Sequence, residues 1–428
     1  MNTAYLNIWN KRVGAVSWDA DRRLASFEYE SSFPDNGWDI APIKMPLEQA
    51  GTIFSFPELS GTSTFKGLPG LLADILPDRY GNTLINTWLA RNGREPDSMN
   101  PVEMLCFVGR RGMGALEFEP VNPKSADTST KLEITGLIEI ARDILNNRED
   151  FNSGLGGNRE KALLDIIKIG TSAGGARAKA LIAYNDQTKE VRSGQAEAPK
   201  GFTHWIIKFD GVHDSQFGET YGYGRVEMAY YLMAQDCGIE MTECRLLEEG
   251  ERAHFMTKRF DRMPGEGKIH VQSWCAINHV DFQEVGAHSY EGLFQTMRAL
   301  ILPYPQAEQL FRRMVFNVIS RNCDDHAKNF SFMMDKQGRW KLAPAFDVCH
   351  AYRPGSIWVS RQSLTLNGKR ENFNREDLLH VARQMNIKKA AQIISEIQGI
   401  VNRWPRYAAQ AGVKAELQRE IKDTILKL

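Results

Sequence analysis

The stretch RNCDDHAKNFSF, Arg321 to Phe332, is the most informative part of the sequence. It concentrates charged and amide side chains at the end of an apolar segment. Two aspartates, a histidine, a lysine and an asparagine fall between positions 324 and 329, directly after FRRMVFNVIS. A second motif, PAFDVCH, follows at positions 344–350 and places Asp347 between apolar neighbours. Because a carboxylate among apolar residues needs a strong partner, the two motifs predict one polar site.

The spacing within the first motif is typical of a kinase catalytic loop. Asp324 and Asn329 are five positions apart, as are the base and the metal-binding asparagine of the kinase pattern H-R-D-x-x-x-x-N. The base accepts the proton of the substrate hydroxyl, and the asparagine offers an oxygen to Mg²⁺, which prefers oxygen ligands. Lys328 is a candidate contact of the transferring phosphate. The alternative is a polar turn in which Asp324 or Asp325 caps the next element.

Asp347 is predicted to be the second Mg²⁺ ligand, the counterpart of the aspartate in the kinase D-F-G motif. The alternative is a buried aspartate that accepts backbone hydrogen bonds. His326 and His350 raise a third possibility, a transition-metal site shared with Asp324 and Asp347, since imidazole suits Zn or Fe.

A glycine-containing loop upstream, TSAGGARAKA (Thr171 to Ala180), is predicted to lie between two strands. Gly174 and Gly175 allow the backbone to approach a ligand closely. Successive amides form an anion nest, to which Arg177 and Lys179 add positive charge. The loop therefore predicts a phosphate cradle, although it matches neither the Walker A nor the G-x-G-x-x-G pattern. The alternative is a glycine-rich hairpin turn with solvated basic residues.

Lys208 stands in HWIIKFD, a predicted buried strand. An ammonium among apolar residues costs free energy unless it is paired. Protein kinases use a strand lysine that pairs with a helix glutamate and contacts nucleotide phosphates, and Glu227 in the next predicted helix is the candidate partner. The alternatives are a snorkelling lysine on an edge strand and an exposed helix glutamate.

The composition is that of a globular protein of 428 residues, with 42% apolar and 25% charged residues. That length predicts two or three domains. Lysine plus arginine equals aspartate plus glutamate at 53 each, which gives no sign of a strongly basic nucleic-acid binder. The six cysteines form no CxxC pair, and no apolar run approaches the roughly 20 residues of a membrane span. The expected location is the cytoplasm, without a membrane partner.

The order of predicted elements is β-rich before α-rich. An antiparallel meander near the N-terminus is followed by two or three helices, a closing strand at GALEFEP and a polar linker at 121–131. We predict an α+β, two-lobed, protein-kinase-like fold in three parts. These are a β-rich N-terminal module at 1–121, a β-rich kinase lobe with the phosphate loop at 122–271, and an α-helical catalytic lobe at 272–428.

These motifs together resemble the HipA family of bacterial serine/threonine kinases, the toxins of HipA–HipB toxin–antitoxin systems. The resemblance is carried by FKGLPGLLADILPDRYGN, VGRRGMGALEFEP, TSAGGARAKA, HWIIKFD, KRFDR, DDHAKNFSF and LAPAFDV. It implies an ATP- and Mg²⁺-dependent protein kinase whose catalytic lobe is similar to that of phosphatidylinositol kinases.

The resemblance also implies roles for single residues. Asp324 corresponds to the catalytic base, Asn329 and Asp347 to the Mg²⁺ ligands, and Lys208 to the lysine on the ATP phosphates. Ser172 corresponds to a serine whose autophosphorylation silences the kinase, and Thr171 beside it is a second possible acceptor. Gln272 stands where the family has an acidic hinge residue. The remaining implied nucleotide contacts are Gly174, Gly175, Ala176, Arg177, Ala178, Lys179, Gln272, Trp274, His326 and Lys328.

The implied partners are a helix-turn-helix antitoxin of the HipB type, operator DNA reached indirectly through that antitoxin, and a protein substrate such as an aminoacyl-tRNA synthetase. Three other functions stay open from the residues alone. They are a kinase-fold corepressor that acts mainly by binding the antitoxin, a metallohydrolase, and a kinase for a small molecule or lipid.

Overall fold

The computed structural model describes residues 1–120, 131–145, 157–170, 177–194, 198–212, 221–263 and 267–428. The chain divides into two compact units. Unit 1 consists of Met1–Asp39, Leu47–Gly224 and Arg245–His270, and unit 2 consists of Ile40–Pro46, Arg225–Cys244 and Val271–Leu428. The predicted linker lies almost entirely outside the described residues, as do Ser172, Thr171, Gly174, Gly175 and Ala176 of the predicted phosphate loop.

Unit 1 begins with an antiparallel sheet in the order β4-β3-β2-β1-β5. Along β1 the side chains of Ala4, Leu6 and Ile8 are fully buried and alternate with more exposed residues, the pattern of a strand with one face on a core. The predicted meander and closing strand are therefore confirmed. The strands are β1 (Thr3–Ile8), β2 (Lys11–Asp19), β3 (Leu24–Tyr29), β4 (Phe54–Ser55) and β5 (Leu116–Glu119).

The helices predicted after the meander are also present. They are α1 (Gly70–Ala73), α2 (Arg79–Arg91) and α3 (Pro101–Val108). Asp78 caps α2 by accepting a hydrogen bond from the Gly81 N–H at 3.0 Å, and Asn100 caps α3 in the same way. Each cap satisfies a backbone donor that the first helical turn leaves free.

The element before the predicted phosphate loop is a helix, so the expected strand there is wrong. It follows α4 (Ile134–Leu145) and is α5 (Gly157–Gly170). Leu163, Ile166 and Ile167 are buried, whereas Leu164 is 54% exposed. Spacings of three and four between buried residues are those of one helix face. The element before the predicted phosphate loop is therefore helical, and the first described strand after it begins at Lys179.

The second sheet of unit 1 has the order β7-β6-β8-β10-β9. Lys208 ends β8, which lies between β6 and β10, so the edge-strand alternative for this lysine is wrong. β7 is a short strand at one edge of this sheet and pairs with β6. The strands are β6 (Lys179–Asn185), β7 (Val191–Ser193), β8 (Phe202–Lys208), β9 (Cys244–Glu249) and β10 (Arg252–Lys258), and the short pair β11 (Arg262–Met263) and β12 (Gly267–Lys268) follows.

A buried ion cluster joins the KRFDR segment to the loop before β5 within unit 1. Asp261 is fully buried and accepts hydrogen bonds from Arg259 Nε at 2.8 Å, from Arg262 Nη1 at 2.7 Å and from the Gly114 N–H at 2.8 Å. Arg262 also donates to the carbonyl oxygens of Gly114 and Gly112. Burial by itself would raise the pKa of Asp261, but the two guanidiniums outweigh it and hold that pKa well below its ordinary value.

Unit 2 is mainly helical, as predicted for the chain after Gln272, and it also contains a small sheet in the order β13-β14-β15. Among the described residues, no helix is long and apolar enough to cross a membrane. The strands are β13 (His270–Ser273), β14 (Ser331–Met334) and β15 (Trp340–Leu342). The helices are α6 (Tyr223–Asp236), α7 (Trp274–Asn278), α8 (Tyr290–Ala299), α9 (Tyr304–Ile319), α10 (Arg375–Met385), α11 (Ala390–Val401), α12 (Trp404–Gln410) and α13 (Ala415–Thr424).

Candidate active site

The loop that carries the first motif starts where α9 ends. Arg321 has a φ of 61°, a left-handed conformation that costs a non-glycine residue about 1–2 kcal/mol. Its guanidinium carbon lies 3.7 Å from the centre of the Tyr352 ring. The Asn322 N–H then donates to the Asn317 carbonyl at 3.0 Å. The chain therefore leaves the helix in a sharp, fixed turn directly before Asp324.

The side chains of this loop alternate between the core and the surface. Asp325 and Ala327 are buried, whereas Asp324, His326 and Lys328 are partly exposed. The Asp324 carboxylate is 30% exposed, and its Oδ1 lies 3.9 Å from His326 Nε2. The Asp324 carboxylate therefore lies at the surface, whereas the Asp325 carboxylate is buried.

Asn329 is tied directly to Asp324. Its Nδ2 donates a hydrogen bond to the backbone carbonyl of Asp324 at 2.7 Å. This bond orients the amide and directs its Oδ1, an oxygen of the kind that Mg²⁺ prefers, away from that carbonyl. The five-residue spacing therefore closes a compact loop in which both predicted site residues have fixed positions.

Asn329 and Asp347 line the same small cavity, together with Asp325. The cavity has a volume of about 20 Å³, which is room for one water molecule or a small cation. Asp347 has a φ of 54°. Left-handed backbone at a non-glycine residue is strained and is concentrated at functional sites. The structure thus brings the two predicted metal ligands together within unit 2.

The transition-metal alternative finds no support in the part of the chain that the structure describes. No group of three or more histidine, cysteine, aspartate or glutamate side chains there is placed to hold a metal ion. His350 is buried, and its Nε2 lies 2.9 Å from Thr424 Oγ1. An asparagine and an aspartate still suit Mg²⁺, which takes one or two protein ligands and fills the remaining positions with phosphate and water.

His350 gives a pH-dependent prediction for folding stability. Burial, followed by the nearby Arg321 charge, lowers the pKa of His350 to about 4. The unfolded value is about 6.5. Because the folded pKa is the lower one, protonation favours unfolding, and stability falls as the pH drops from about 6.5 towards 4. Between pH 7 and pH 5 the contribution is about 2 kcal/mol.

We expect His350→Gln to lose less stability than the wild type over this interval, by about 2 kcal/mol. Urea denaturation at pH 7 and at pH 5 measures the difference. The value at pH 7 reports separately on the lost contact with Thr424. An equal pH dependence in both proteins would show that His350 is not held neutral in the fold.

Asp325, which the sequence predicts at most as a capping residue, is buried and has long-range partners. Its carboxylate accepts hydrogen bonds from the Tyr290 hydroxyl, from Gln362 Nε2 and from the Ser363 N–H. Burial raises the pKa of Asp325 to about 6, and these hydrogen bonds act in the opposite direction. No local signal marks this role, because the partners lie 35 to 38 positions away.

Phe282 is a second site residue that the sequence did not reveal. Its ring centre lies 5.1 Å from that of His326, and Lys328 Nζ lies 5.0 Å from the Phe282 ring centre. One aromatic side chain from the loop between α7 and α8 therefore contacts two of the predicted nucleotide-site residues. The ammonium over the ring face is a cation–π contact, which fixes the direction of the lysine.

In unit 1, the described end of the phosphate loop begins at Arg177. Its guanidinium carbon lies 5.0 Å from the Tyr223 ring centre. Lys179 is 3% exposed and belongs to β6, directly opposite Lys208 on β8. Directly opposed residues of antiparallel strands project from the same sheet face, and like charges there repel. The structure therefore places these two predicted phosphate contacts side by side on one face of the sheet.

Lys208 itself lies with Nζ 5.8 Å from the centre of the Phe255 ring in unit 1. Glu227, in the unit 2 part of α6, is only 2% exposed. The alternative of an exposed helix glutamate is therefore wrong. A buried carboxylate needs a charged or hydrogen-bonding partner, and its pairing with Lys208 stays a prediction.

The predicted hinge residues Gln272 and Trp274 are both buried in unit 2. The Trp274 indole donates to Thr296 Oγ1 at 2.9 Å and is committed to the core. The indole is therefore bonded within the core of unit 2. Gln272 is equally buried, and its Oε1 has no hydrogen-bond partner among the described residues.

Comparison with known proteins identifies both halves of the chain. The family model described as HipA N-terminal domain matches residues 4–119, and the one described as HipA-like C-terminal domain matches residues 171–404. The second match alone spans more than half of the chain. The serine/threonine-protein kinase toxin HipA of Shewanella oneidensis is 20% identical over 368 residues, which cover 81% of this chain and 74% of that protein.

A solved structure has a similar fold over nearly the whole length. The complex of HipA, HipB and operator DNA from Shewanella oneidensis MR-1 contains a chain that matches with a TM-score of 0.68 and 18% identity, covering 98% of this chain and 94% of that one. At this identity the likeness shows a shared, kinase-like fold. With the two matched family models, it follows that the chain belongs to the HipA family of kinases.

Proposed function

We propose that this chain is an ATP- and Mg²⁺-dependent serine/threonine protein kinase and acts as the toxin of a toxin–antitoxin pair. One observation carries the proposal. At the end of α9, a partly exposed Asp324 is joined by a hydrogen bond to Asn329, and Asn329 shares a cavity with Asp347. A base next to two oxygen ligands is what phosphoryl transfer to a hydroxyl requires.

The proposed roles follow from this geometry. Asp324 accepts the proton of the substrate hydroxyl, since its carboxylate is the one that the loop presents to the surface. Asn329 and Asp347 would hold Mg²⁺, since both line one small cavity and both side chains carry oxygen ligands of the kind that Mg²⁺ prefers. When bound, Mg²⁺ neutralises the charge of the nucleotide phosphates. His326 and Lys328 complete the nucleotide side of the loop, and Phe282 fixes their positions.

The proposed contacts of the ATP phosphates also include Lys208 and the phosphate loop. The loop residues are Gly174, Gly175, Ala176, Arg177, Ala178 and Lys179, since successive backbone amides next to basic side chains are able to bind an anion. Ser172, at the start of this loop, is the proposed autophosphorylation site, because a phosphate there competes for the same amides and cations. Gln272 offers its free acceptor to the amino group of adenine, whereas Trp274 contributes to the core.

The proposed organisation has three parts, a β-rich N-terminal module at 1–121, a kinase β-rich lobe at 122–271 and a catalytic lobe at 272–428. The proposed partner is a helix-turn-helix antitoxin of the HipB type, through which the chain reaches operator DNA. The proposed substrate is a translation component in the cytoplasm, such as an aminoacyl-tRNA synthetase, and its phosphorylation arrests growth.

Phosphoproteomics after brief expression tests this proposal. The wild type is compared with Asp347→Asn, which removes a proposed metal ligand. We expect a small set of proteins phosphorylated on serine or threonine in the wild type alone, with Ser172 among the sites. Identical phosphorylation in both cultures would contradict the kinase function and the role of Asp347.

A corepressor that acts mainly by binding its antitoxin is the second candidate, favoured by the operator complex of the similar Shewanella protein. A thermal-shift measurement with millimolar ATP and Mg²⁺ separates the two functions. Stabilisation by nucleotide supports the kinase, because a ligand that binds only the folded state raises its melting temperature. An unchanged melting temperature supports the corepressor.

A further inference from the structure

The buried carboxylate of Asp325 collects three hydrogen-bond donors from two distant segments. Tyr290 donates through its hydroxyl at 2.7 Å and Gln362 through Nε2 at 3.1 Å, both to Oδ2, while the Ser363 N–H donates to Oδ1 at 2.7 Å. Asp325 is 1% exposed, so water does not compete for these bonds. Hydrogen bonds to an ionised acceptor are stronger than neutral ones, and three of them fix the residue.

The segment at 362–363 also forms hydrogen bonds with the two residues that precede Asp324 in the chain. Gln362 Nε2 donates to the Asn322 carbonyl at 3.0 Å, and Ser363 Oγ donates to the Cys323 carbonyl at 3.0 Å. The Cys323 thiol donates in turn to Gln362 Oε1. Asn322, Cys323 and Asp325 are therefore all hydrogen-bonded to the segment at 362–363.

The helices α8 and α9 support the loop from another direction. Asn317 Nδ2 donates to the Tyr290 hydroxyl at 3.1 Å, and Asn322 Nδ2 donates to Asn317 Oδ1 at 3.0 Å. The Tyr290 hydroxyl therefore accepts one bond and donates the other to Asp325. Asn322 Oδ1 has no hydrogen-bond partner among the described residues, but the other side-chain bonds join the loop to both helices and restrict its rotation.

The network ends at the two proposed site residues. Asp324 is the neighbour of Asp325 in the chain, and its backbone carbonyl accepts the hydrogen bond from Asn329 Nδ2. A fixed Asp325 therefore fixes the carbonyl of Asp324, and that carbonyl orients the amide of Asn329. The buried carboxylate of Asp325 is thus connected to the proposed base, Asp324, through the chain and to the proposed metal ligand, Asn329, through the Asp324 carbonyl.

We infer that Asp325 is a positioning residue for phosphoryl transfer, which sets the direction of the Asp324 side chain and the orientation of the Asn329 amide. The inference rests on the proposed kinase function. A carboxylate that served folding alone would affect stability and leave turnover by the folded enzyme unchanged. A positioning residue changes the rate constant and the Mg²⁺ requirement of the folded enzyme.

The test uses Asp325→Asn in the full chain. Asparagine keeps the shape of the side chain, but its NH₂ group faces at least one donor in either orientation, because Tyr290 and Gln362 donate at one oxygen of the carboxylate and the Ser363 N–H donates at the other. The probe is phosphoryl transfer from γ-labelled ATP into the chain itself and into dephosphorylated casein. We expect the rate constant at saturating ATP to fall about 100-fold and the Mg²⁺ concentration for half-maximal rate to rise about 10-fold. We expect KM for ATP to change little, because the hydrogen-bond partners of Asp325 are Tyr290, Gln362 and Ser363, none of which is a proposed nucleotide contact.

Asp377→Asn is the matched control. Asp377 is also buried, at 3% exposure, and accepts hydrogen bonds from Asn374, Lys369 and Asn367 at the start of α10. We expect this variant to lose stability while keeping the wild-type rate constant per folded molecule. If Asp325→Asn does not fold, Tyr290→Phe replaces it, since that change removes a single donor and should lower the rate constant about 10-fold.

The outcomes separate the inference from the function on which it rests. An active wild type with unchanged rate and Mg²⁺ dependence in Asp325→Asn, or in Tyr290→Phe, overturns the positioning role alone. A wild type that transfers no phosphoryl group overturns the proposed function and the inference with it. Loss of rate and a raised Mg²⁺ requirement in the variant, with normal turnover in Asp377→Asn, supports the positioning role.

Discussion

Replacing Asp324 by asparagine is expected to lower phosphoryl transfer by about 10²- to 10⁴-fold while the fold is retained. An amide cannot accept the proton of the substrate hydroxyl, so the variant lacks the base. The fold is retained because Asn329 bonds to the backbone carbonyl of Asp324, which the substitution keeps. The carboxylate itself is 30% exposed, and its loss should change stability by about 0.5 kcal/mol or less.

Initial rates of label transfer from γ-labelled ATP measure this effect, and thermal denaturation checks the fold. Asp335→Asn is the matched control, since the Asp335 side chain is 29% exposed and lies in the turn between β14 and β15. The control should keep the wild-type rate. Growth arrest on expression should disappear with Asp324→Asn alone. A folded variant that transfers phosphate at the wild-type rate would show that another group is the base.

Replacing Asp261 by asparagine should cost about 3–5 kcal/mol of folding stability, the largest loss that we expect from a single isosteric change. The substitution leaves Arg259 and Arg262 buried without their shared counter-charge. It also weakens the bond to the Gly114 N–H, which ties KRFDR to the loop before β5. Because the folded pKa of Asp261 is lowered, its stabilisation is complete above about pH 4, the unfolded pKa, and is lost as the pH falls further.

Urea denaturation at neutral pH measures the loss, and hydrogen exchange of residues 110–117 locates it. Asp186→Asn is the control in unit 1, because Asp186 pairs with Arg245 on the surface and its side chain is 48% exposed. That pair should contribute less than about 1 kcal/mol. An equal loss in both variants would show that the buried cluster contributes no more than a surface ion pair.

The sequence pattern was sufficient to predict features that depend only on residues close together in the chain. Apolar and polar residues alternate along β1 in the sequence, and this strand forms as predicted. The pairing of Asp324 with Asn329 also lies within six residues, so spacing alone indicated it.

Prediction from sequence failed where the structure of a segment or the role of a residue depends on contacts with distant residues. The apolar run at 163–167 fits a strand or a helix by composition, and packing selects the helix α5. Lys179 was assigned to a loop, yet the register of β6 against β8 places it opposite Lys208. Asp325 and Phe282 gain their roles from partners 35 to 46 positions away, which no local spacing encodes.

Transfer of the γ-phosphoryl group from labelled ATP to protein tests the proposed kinase directly, with purified wild type and Asp324→Asn measured side by side with and without Mg²⁺. We expect serine- or threonine-linked label with the wild type and Mg²⁺ only. Label that appears equally in both proteins, or that appears only as free phosphate, would contradict a kinase whose base is Asp324.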